Sequence, residues 1–218
     1  KLAKRLGEEL KIPVYLYEKS AKNTQRTNLA DIRSGEYEGF SSKINKKDWK
    51  PDFGPHLFHE KFGCIAVGVR EFLLAYNINL NTTDKKIATD IALDIRERGR
   101  LKRDSSGIII RNSKGVAKRV PGKFEYCKAV GWLIEEYNQA QVSINLTNYK
   151  KTSLHKVFQE VRLQARKRGV RVTGSEVVGL LPMKALLDAG TYYIKLQKRP
   201  LGIPEIDVIN IAIKSLGL

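Results

Sequence analysis

The sequence predicts an α+β fold in which helices pack on one face of a mixed, largely antiparallel sheet. Stretches with strand periodicity and stretches with helical periodicity both occur, but not in a regular βαβα alternation. The strands expected over residues 124–146 follow one another too closely for a helical crossover, so they pair antiparallel. With 42% hydrophobic residues in 218, the chain can bury a core, though length alone does not choose between one large domain and two small ones.

Leu2, Leu6 and Leu10 recur at helical spacing with no capping residue ahead of them, so the chain reads as opening inside a helix. Residues 13–17 (P-V-Y-L-Y) predict a short buried strand. Residues 26–33 predict a helix stopped at Gly35, and the lysine-rich residues 41–50 an exposed surface segment. Strands follow over 64–69 and 72–80, the second placing Leu74, Tyr76, Ile78 and Leu80 on one face.

Thr83 or Asp84 caps a helix whose stripe is Ile87, Ile91 and Ile95 with Ala88 and Ala92, ended by Gly99. Residues 108–110 and 116–120 predict a projecting hairpin turned at Asn112 to Gly115. Strands over 124–135 and 139–146 lead to a helix capped by Ser153 and closed at Gly169. His155, in its first turn, reads as structural. Gly174 and Gly179 interrupt a strand within 170–181. They match neither the G-x-G-x-x-G nor the P-loop pattern and read as a bulged strand near a subdomain interface. Helices over 183–196 and 204–216 close the chain, with an irregularity at Asp188-Ala189-Gly190. No internal repeat is visible.

Charge is the strongest compositional signal. A formal +17 attracts polyanions and says nothing about fold. Residues 102–123 hold seven Lys or Arg against Asp104 alone, and Arg162 to Arg171 form a second basic run. Composition by itself makes nucleic acid the leading partner, yet no zinc-finger, RRM or KH signature is present and aromatics do not interleave with the basic runs. No apolar run approaches the roughly 20 residues of a membrane span. Cys64 and Cys127 read as reduced thiols of a cytosolic protein, where the N-L-T sequon at Asn145 has no meaning.

The most informative stretch is W-K-P-D-F-G-P-H-L-F-H-E-K-F-G, residues 49–63. Pro51, Gly54 and Pro55 make it costly to order, and its Phe and His content suits a shaped binding loop. His56, His59 and Glu60 sit on a proline-bounded loop with no supporting Cys or Asp cluster, so no metal site is expected there.

P-D-F-G-P followed by F-G-C-I-A-V-G-V-R-E-F-L-L-A-Y-N-I-N-L resembles the glutamate formimidoyltransferase (glutamate formiminotransferase) family. K-R-L-G-E-E-L-K-I-P-V-Y-L-Y-E and I-R-S-G-E-Y-E-G-F upstream carry the same resemblance. So do V-G-W-L-I-E-E-Y-N-Q-A-Q-V-S-I-N-L-T-N and V-T-G-S-E-V-V-G-L-L-P-M-K-A-L-L-D-A-G downstream. It implies two two-layer subdomains: residues 1–71, the carboxy-terminal part of the first with its substrate loop, and residues 72–218, the second. It also implies transfer of a formimino group from N-formimino-L-glutamate to N5 of tetrahydrofolate in histidine degradation. Tetrahydrofolate is then a co-substrate, no metal is needed, and a cytoplasmic homodimer is expected.

One histidine near neutral pKa suits both proton transfers of that reaction, and polar groups must stabilise its tetrahedral intermediate. The family's histidine lies in an H-P-R-F/M-G-A-like motif that does not occur here. The resemblance therefore implies no catalytic residue in this chain, a piece of a longer protein, and an inactive polypeptide if taken alone. The family's binding segment corresponds to Gly54, Pro55, His56, Leu57, Phe58, His59, Glu60, Lys61, Phe62 and Gly63. Gly54 and Gly63 are expected to permit close backbone approach, and Phe58 or Phe62 to stack on a pteridine ring. The positive charge then suits the glutamate tail of folate, often extended to polyglutamate, and the dicarboxylate substrate. Some members carry a fused cyclodeaminase domain, of which no trace is seen. The alternatives are a formyl transferase of the same family acting on N-formylglutamate, and a basic nucleic-acid-binding module.

Overall fold

The computed structural model describes residues 1–218, which divide into two compact units, Lys1–Arg70 and Glu71–Leu218. In the first unit, helix α1 (Leu2–Glu9) leads to strand β1 (Val14–Glu18), which pairs in parallel with β2 (Ile65–Val69) from Val14 opposite Ile65 to Glu18 opposite Val69. Parallel strands need a crossover, and here it carries α2 (Leu29–Arg33) and α3 (Phe40–Ile44). Tyr15, Ile32, Phe40 and Ile44 form the buried core between them.

One expectation fails in this crossover and a second holds only in part. The helix expected over 26–33 is split into a 3-10 turn at Thr24–Arg26 and the five-residue α2. Asn28 separates them because its side chain accepts from Ala30 N at 3.2 Å and restarts the chain. The segment 41–50 is largely exposed, as expected, but not at every position. Phe40, Lys43 and Ile44 turn inward, and the Lys43 ammonium donates to the carbonyls of Asp31, Ile32 and Ser34 at 2.5, 2.9 and 2.9 Å. It also lies 3.8 Å from the centre of the Trp49 ring. A lysine stem is apolar, so composition misreads a position whose charge is satisfied inside.

The second unit is built on an antiparallel sheet of order β6-β7-β3-β8. Its strands are β3 (Leu74–Leu80), β6 (Cys127–Ile134), β7 (Gln139–Leu146) and β8 (Val172–Val178). Leu74, Tyr76, Ile78 and Leu80 of β3 are fully buried, beside Ala140, Val142, Ile144 and Leu146 of β7. Helix α4 (Lys85–Ile95) packs on β6 and β7, and α5 (Leu154–Lys167) on β3 and β8. Helices α6 (Met183–Leu196) and α7 (Glu205–Leu216) pair with each other and complete the same core. The fold is thus α+β as expected, parallel only at β1 and β2. No helix is long and apolar enough to cross a membrane.

Local chemistry sets the element ends. Asp84 caps α4 by accepting from Lys86 N at 2.7 Å. The helix stops at Ile95, not at Gly99, because Arg96 turns extended with ψ 147°. Ser153 stands at the start of α5 but its hydroxyl caps nothing; it lies 3.2 Å from His155 Nε2. Gly174 sits at the expected bulge, where the β3–β8 register shifts between Asn79 and Leu80.

The projection after α4 holds a repeat that the sequence reading missed. A short ladder of β4 (Arg100–Leu101) and β5 (Arg119–Val120) opens it. Beyond the ladder there are two hairpins, not the one expected, with bridges Arg103 to Ile109 and Arg111 to Ala117. In the first, Asp104 Oδ1 accepts from Ser106 N and Ile108 N, both at 2.9 Å. Eight residues on, Asn112 Oδ1 accepts from Lys114 N and Val116 N at 3.0 and 2.9 Å. The common pattern, R-[DN]-S-[SK]-G-[IV], is hidden by Asp for Asn and Lys for Ser, which keep the turn chemistry but not the letters.

Gly190 is not a helix irregularity either. α6 runs unbroken through it, and a Cβ there would lie 2.1 Å from the Val208 carbonyl oxygen of α7. Gly-to-Ala in an ordinary helix interior gains about 0.8–1 kcal/mol. Here the sign should reverse: Gly190→Ala is expected to cost about 1–3 kcal/mol by overpacking, measured by urea denaturation.

Candidate functional site

The loop 50–63 is stitched to β1 at its start. Val14 N donates to the Phe53 carbonyl and Asp52 N to the Val14 carbonyl, both at 2.9 Å. The Asp52 carboxylate accepts from Leu16 N at 2.8 Å and pairs with Arg26 at 3.2 Å, both side chains being buried. Arg26 also donates to the Lys50 carbonyl at 3.1 Å, and the Tyr15 hydroxyl to that of Trp49 at 2.7 Å. Gly54 follows at φ +83°, and a Cβ there would meet the Ile12 carbonyl oxygen at 2.3 Å. The close approach this glycine permits is to its own chain.

Beyond Gly54 the other nine expected site residues part company. Pro55 is half-buried, Leu57 is 70% exposed, and Glu60 and Lys61 are exposed. His56 Nε2 lies 2.6 Å from the Ile44 carbonyl oxygen. His59 Nδ1 accepts from Phe62 N at 3.2 Å, which places the proton of the neutral ring on Nε2. Phe58 packs against the core, its ring 5.2 Å from Tyr37 and 6.0 Å from Phe40. Phe62 is 65% exposed, with the His59 ring tilted against it at 5.2 Å.

Phe62 and Gly63 line a cleft of about 380 Å³, whose other wall is Arg33, Glu36 and Tyr37. The Tyr37 hydroxyl donates to the Glu60 carbonyl and ties this wall to the loop. Cys64 lies in the same cleft, and burial pushes its thiol up, against the pull of Lys43. It is held as a thiol, not a nucleophile. The cleft offers an aromatic face, a cation and a carboxylate. It can stack a flat ring and orient a charged group. Arg33, Glu36 and Tyr37 line this cleft but were not among the expected site residues, although they fall in the I-R-S-G-E-Y-E-G-F block.

A second polar surface lies on the helix-free face of the second unit's sheet. Glu176 Oε1 accepts from Asn77 Nδ2 at 3.0 Å and Gln141 Nε2 at 2.8 Å. Gln141 also donates to Asn79 Oδ1 at 2.7 Å and accepts from Trp132 Nε1 at 2.6 Å. The alternation of β3 and β7 signals such a face, but which polar residues interlock depends on strand register.

His155, expected to be structural, is buried with its ring stacked on Tyr192 at 4.5 Å. Its Nδ1 finds no acceptor. Burial, then the Lys156 charge, pushes its pKa down to about 4.

With this geometry in place, comparison with known proteins decides the family. Residues 1–70 match the family described as "Formiminotransferase domain, N-terminal subdomain", and residues 75–218 that described as "Formiminotransferase domain". The chain belongs to the formiminotransferase family. It is 41% identical over 215 residues to a formimidoyltransferase-cyclodeaminase of Dictyostelium discoideum, covering 99% of this chain and 37% of that protein. The corresponding mouse protein is 42% identical over 214 residues, 98% of this chain and 36% of its own length. A glutamate formimidoyltransferase of Streptococcus pyogenes serotype M1 is 40% identical over 196 residues, 90% of this chain and 58% of the relative. The chain thus spans between about a third and three fifths of these formiminotransferase relatives.

Two outcomes test the forces described. Asp52→Ala strands the Arg26 charge in the interior, so stability should fall by about 3–5 kcal/mol. A loss under about 1 kcal/mol on chemical denaturation would refute the pair's role. For His155, the folded pKa of about 4 lies below the unfolded value of 6.5. The unfolded chain therefore binds the extra proton, and stability should decline as pH falls from 6.5 through 4. His155→Phe should flatten that slope in melts across the window.

Proposed function

We propose that the protein bearing this chain transfers a formimino group from N-formimino-L-glutamate to N5 of tetrahydrofolate, in histidine degradation. The supporting observation is that both formiminotransferase regions match in order, over residues 1–70 and 75–218. In this reaction N5 attacks the formimino carbon, a tetrahedral centre forms, and the glutamate nitrogen leaves with a proton. The loop from Gly54 to Gly63 is the segment we assign to substrate and folate, with Phe62 as the stacking face. Arg33 beside it suits a substrate carboxylate. Folate here is the co-substrate, and the +17 charge suits its glutamate tail, including polyglutamylated forms. A homodimer in the cytoplasm is the setting the family resemblance carries.

The two aromatic residues of the loop separate binding from scaffolding. Phe62→Ala should weaken tetrahydrofolate binding about 2- to 10-fold, the equivalent of roughly 0.5–1.5 kcal/mol of stacking, and leave the melting temperature unchanged. Phe58→Ala should instead lower stability by about 3–5 kcal/mol. Calorimetric titration of the protein, with melts of each variant, reads both. Wild-type affinity in a folded Phe62→Ala variant would show the loop to be scaffolding.

A further inference from the structure

The second unit carries its own cleft, of about 670 Å³, between α4 and the base of the octad repeat. Arg96, Arg100, Lys102, Arg103 and Arg119 line it, with Asp90 as the one carboxylate. Most of this charge is accounted for. Arg100 donates to Asp94 at 3.0 and 2.5 Å and lies 3.7 Å from Asp90. Arg96 donates to the carbonyls of Gly99 and Ala129 at 3.0 and 3.4 Å.

The repeat explains the exception. Arg103 donates to the Gly107 carbonyl at 2.6 Å, and Arg111, eight residues on, to that of Gly115 at 2.8 Å. Arg119 stands third in this series. There the chain leaves the pattern at Pro121-Gly122, and the residue four further on is Lys123, itself held by Glu160. Nη1 of Arg119 is consequently buried with no acceptor. Its charge presses on Arg96, whose pKa is lowered first by burial and then by Arg119 and Arg98.

We propose that this cleft is a site for a compact oxyanion, a phosphate or carboxylate group, received by Arg119 and Arg96 together with Lys102. Guanidinium forks match such groups in shape as well as charge. The cleft has small-molecule dimensions, and no aromatic residue lines it, so a stacked nucleic-acid base has no platform there. The inference does not depend on formimino transfer. Only one source of the anion does: the γ-linked carboxylates of a folate tail, as against a phosphate-bearing ligand.

Calorimetric titration at low salt with inorganic phosphate, and separately with tri-γ-glutamate, tests the site and its source. At least one anion should bind saturably. Arg119→Gln should weaken it about tenfold or more, and Arg119→Lys, which keeps charge but loses the fork, should fall between. Lys114→Gln, at the tip of the second hairpin and outside the cleft, should leave affinity within about twofold. Phosphate binding names a phosphate-bearing ligand; binding of the peptide alone names the folate tail. The proposal is overturned if neither anion saturates below about 10 mM, or if both folded Arg119 variants bind as the wild type does.

Discussion

The path of the loop 50–63 depends on one buried ion pair, Arg26 with Asp52. Removing two charges from water is expensive, and further hydrogen bonds to the partners offset part of that cost. Asp52 has Leu16 N, and Arg26 has the Lys50 carbonyl through Nη1, while its Nε is buried without an acceptor. The pair therefore ties the end of the 3-10 turn, strand β1 and the loop entrance into one unit. A two-stranded parallel sheet has few ladder bonds of its own. Polar stitching does here what a wider sheet does elsewhere, and Lys43 does the same where α2 meets α3.

The second unit solves the opposite problem. Its sheet is wide enough to carry a core, and its helices cover one face only. The other face is polar, and register, not composition, makes it ordered. Asn77 pairs across from Ser143 and Glu176, so one side-chain amide reaches the carboxylate of the neighbouring strand. Gln141 of β7 reaches over β3 to the same carboxylate. A one-residue slip would break this lattice and expose the apolar face together.

How much of this was legible in the sequence follows from how local each cause is. The alternation of β3, the stripe of α4 and the span of α6 rest on neighbouring residues and read directly. The loop 49–63 read as costly to order, because Pro and Gly act through their own backbone. What that order depends on did not read, since Arg26 lies 26 residues before Asp52 and no local pattern joins them. Phe58 and Phe62 are the same residue type four positions apart, yet one anchors and one faces outward. Lys43 read as surface because composition carries the charge and not the three carbonyls that surround it.

The octad repeat shows how a highly charged segment can keep a shape with almost no core. Ile108 and Val116 are both exposed, so burial contributes little to holding the projection. Each turn instead closes on an Asp or Asn side chain that accepts two backbone amides, and an arginine bonds the carbonyl of the turn glycine. The cations are thus structural while they remain at the surface, which lets the segment hold positive charge without collapsing or needing counter-charges. Such a device ends wherever the pattern ends, and its last arginine inherits no acceptor. The excess charge of this chain is therefore not spread evenly as a solvated face. It gathers at the point where the repeat runs out, beside α4, where Arg119 is half-buried and its Nη1 has no acceptor.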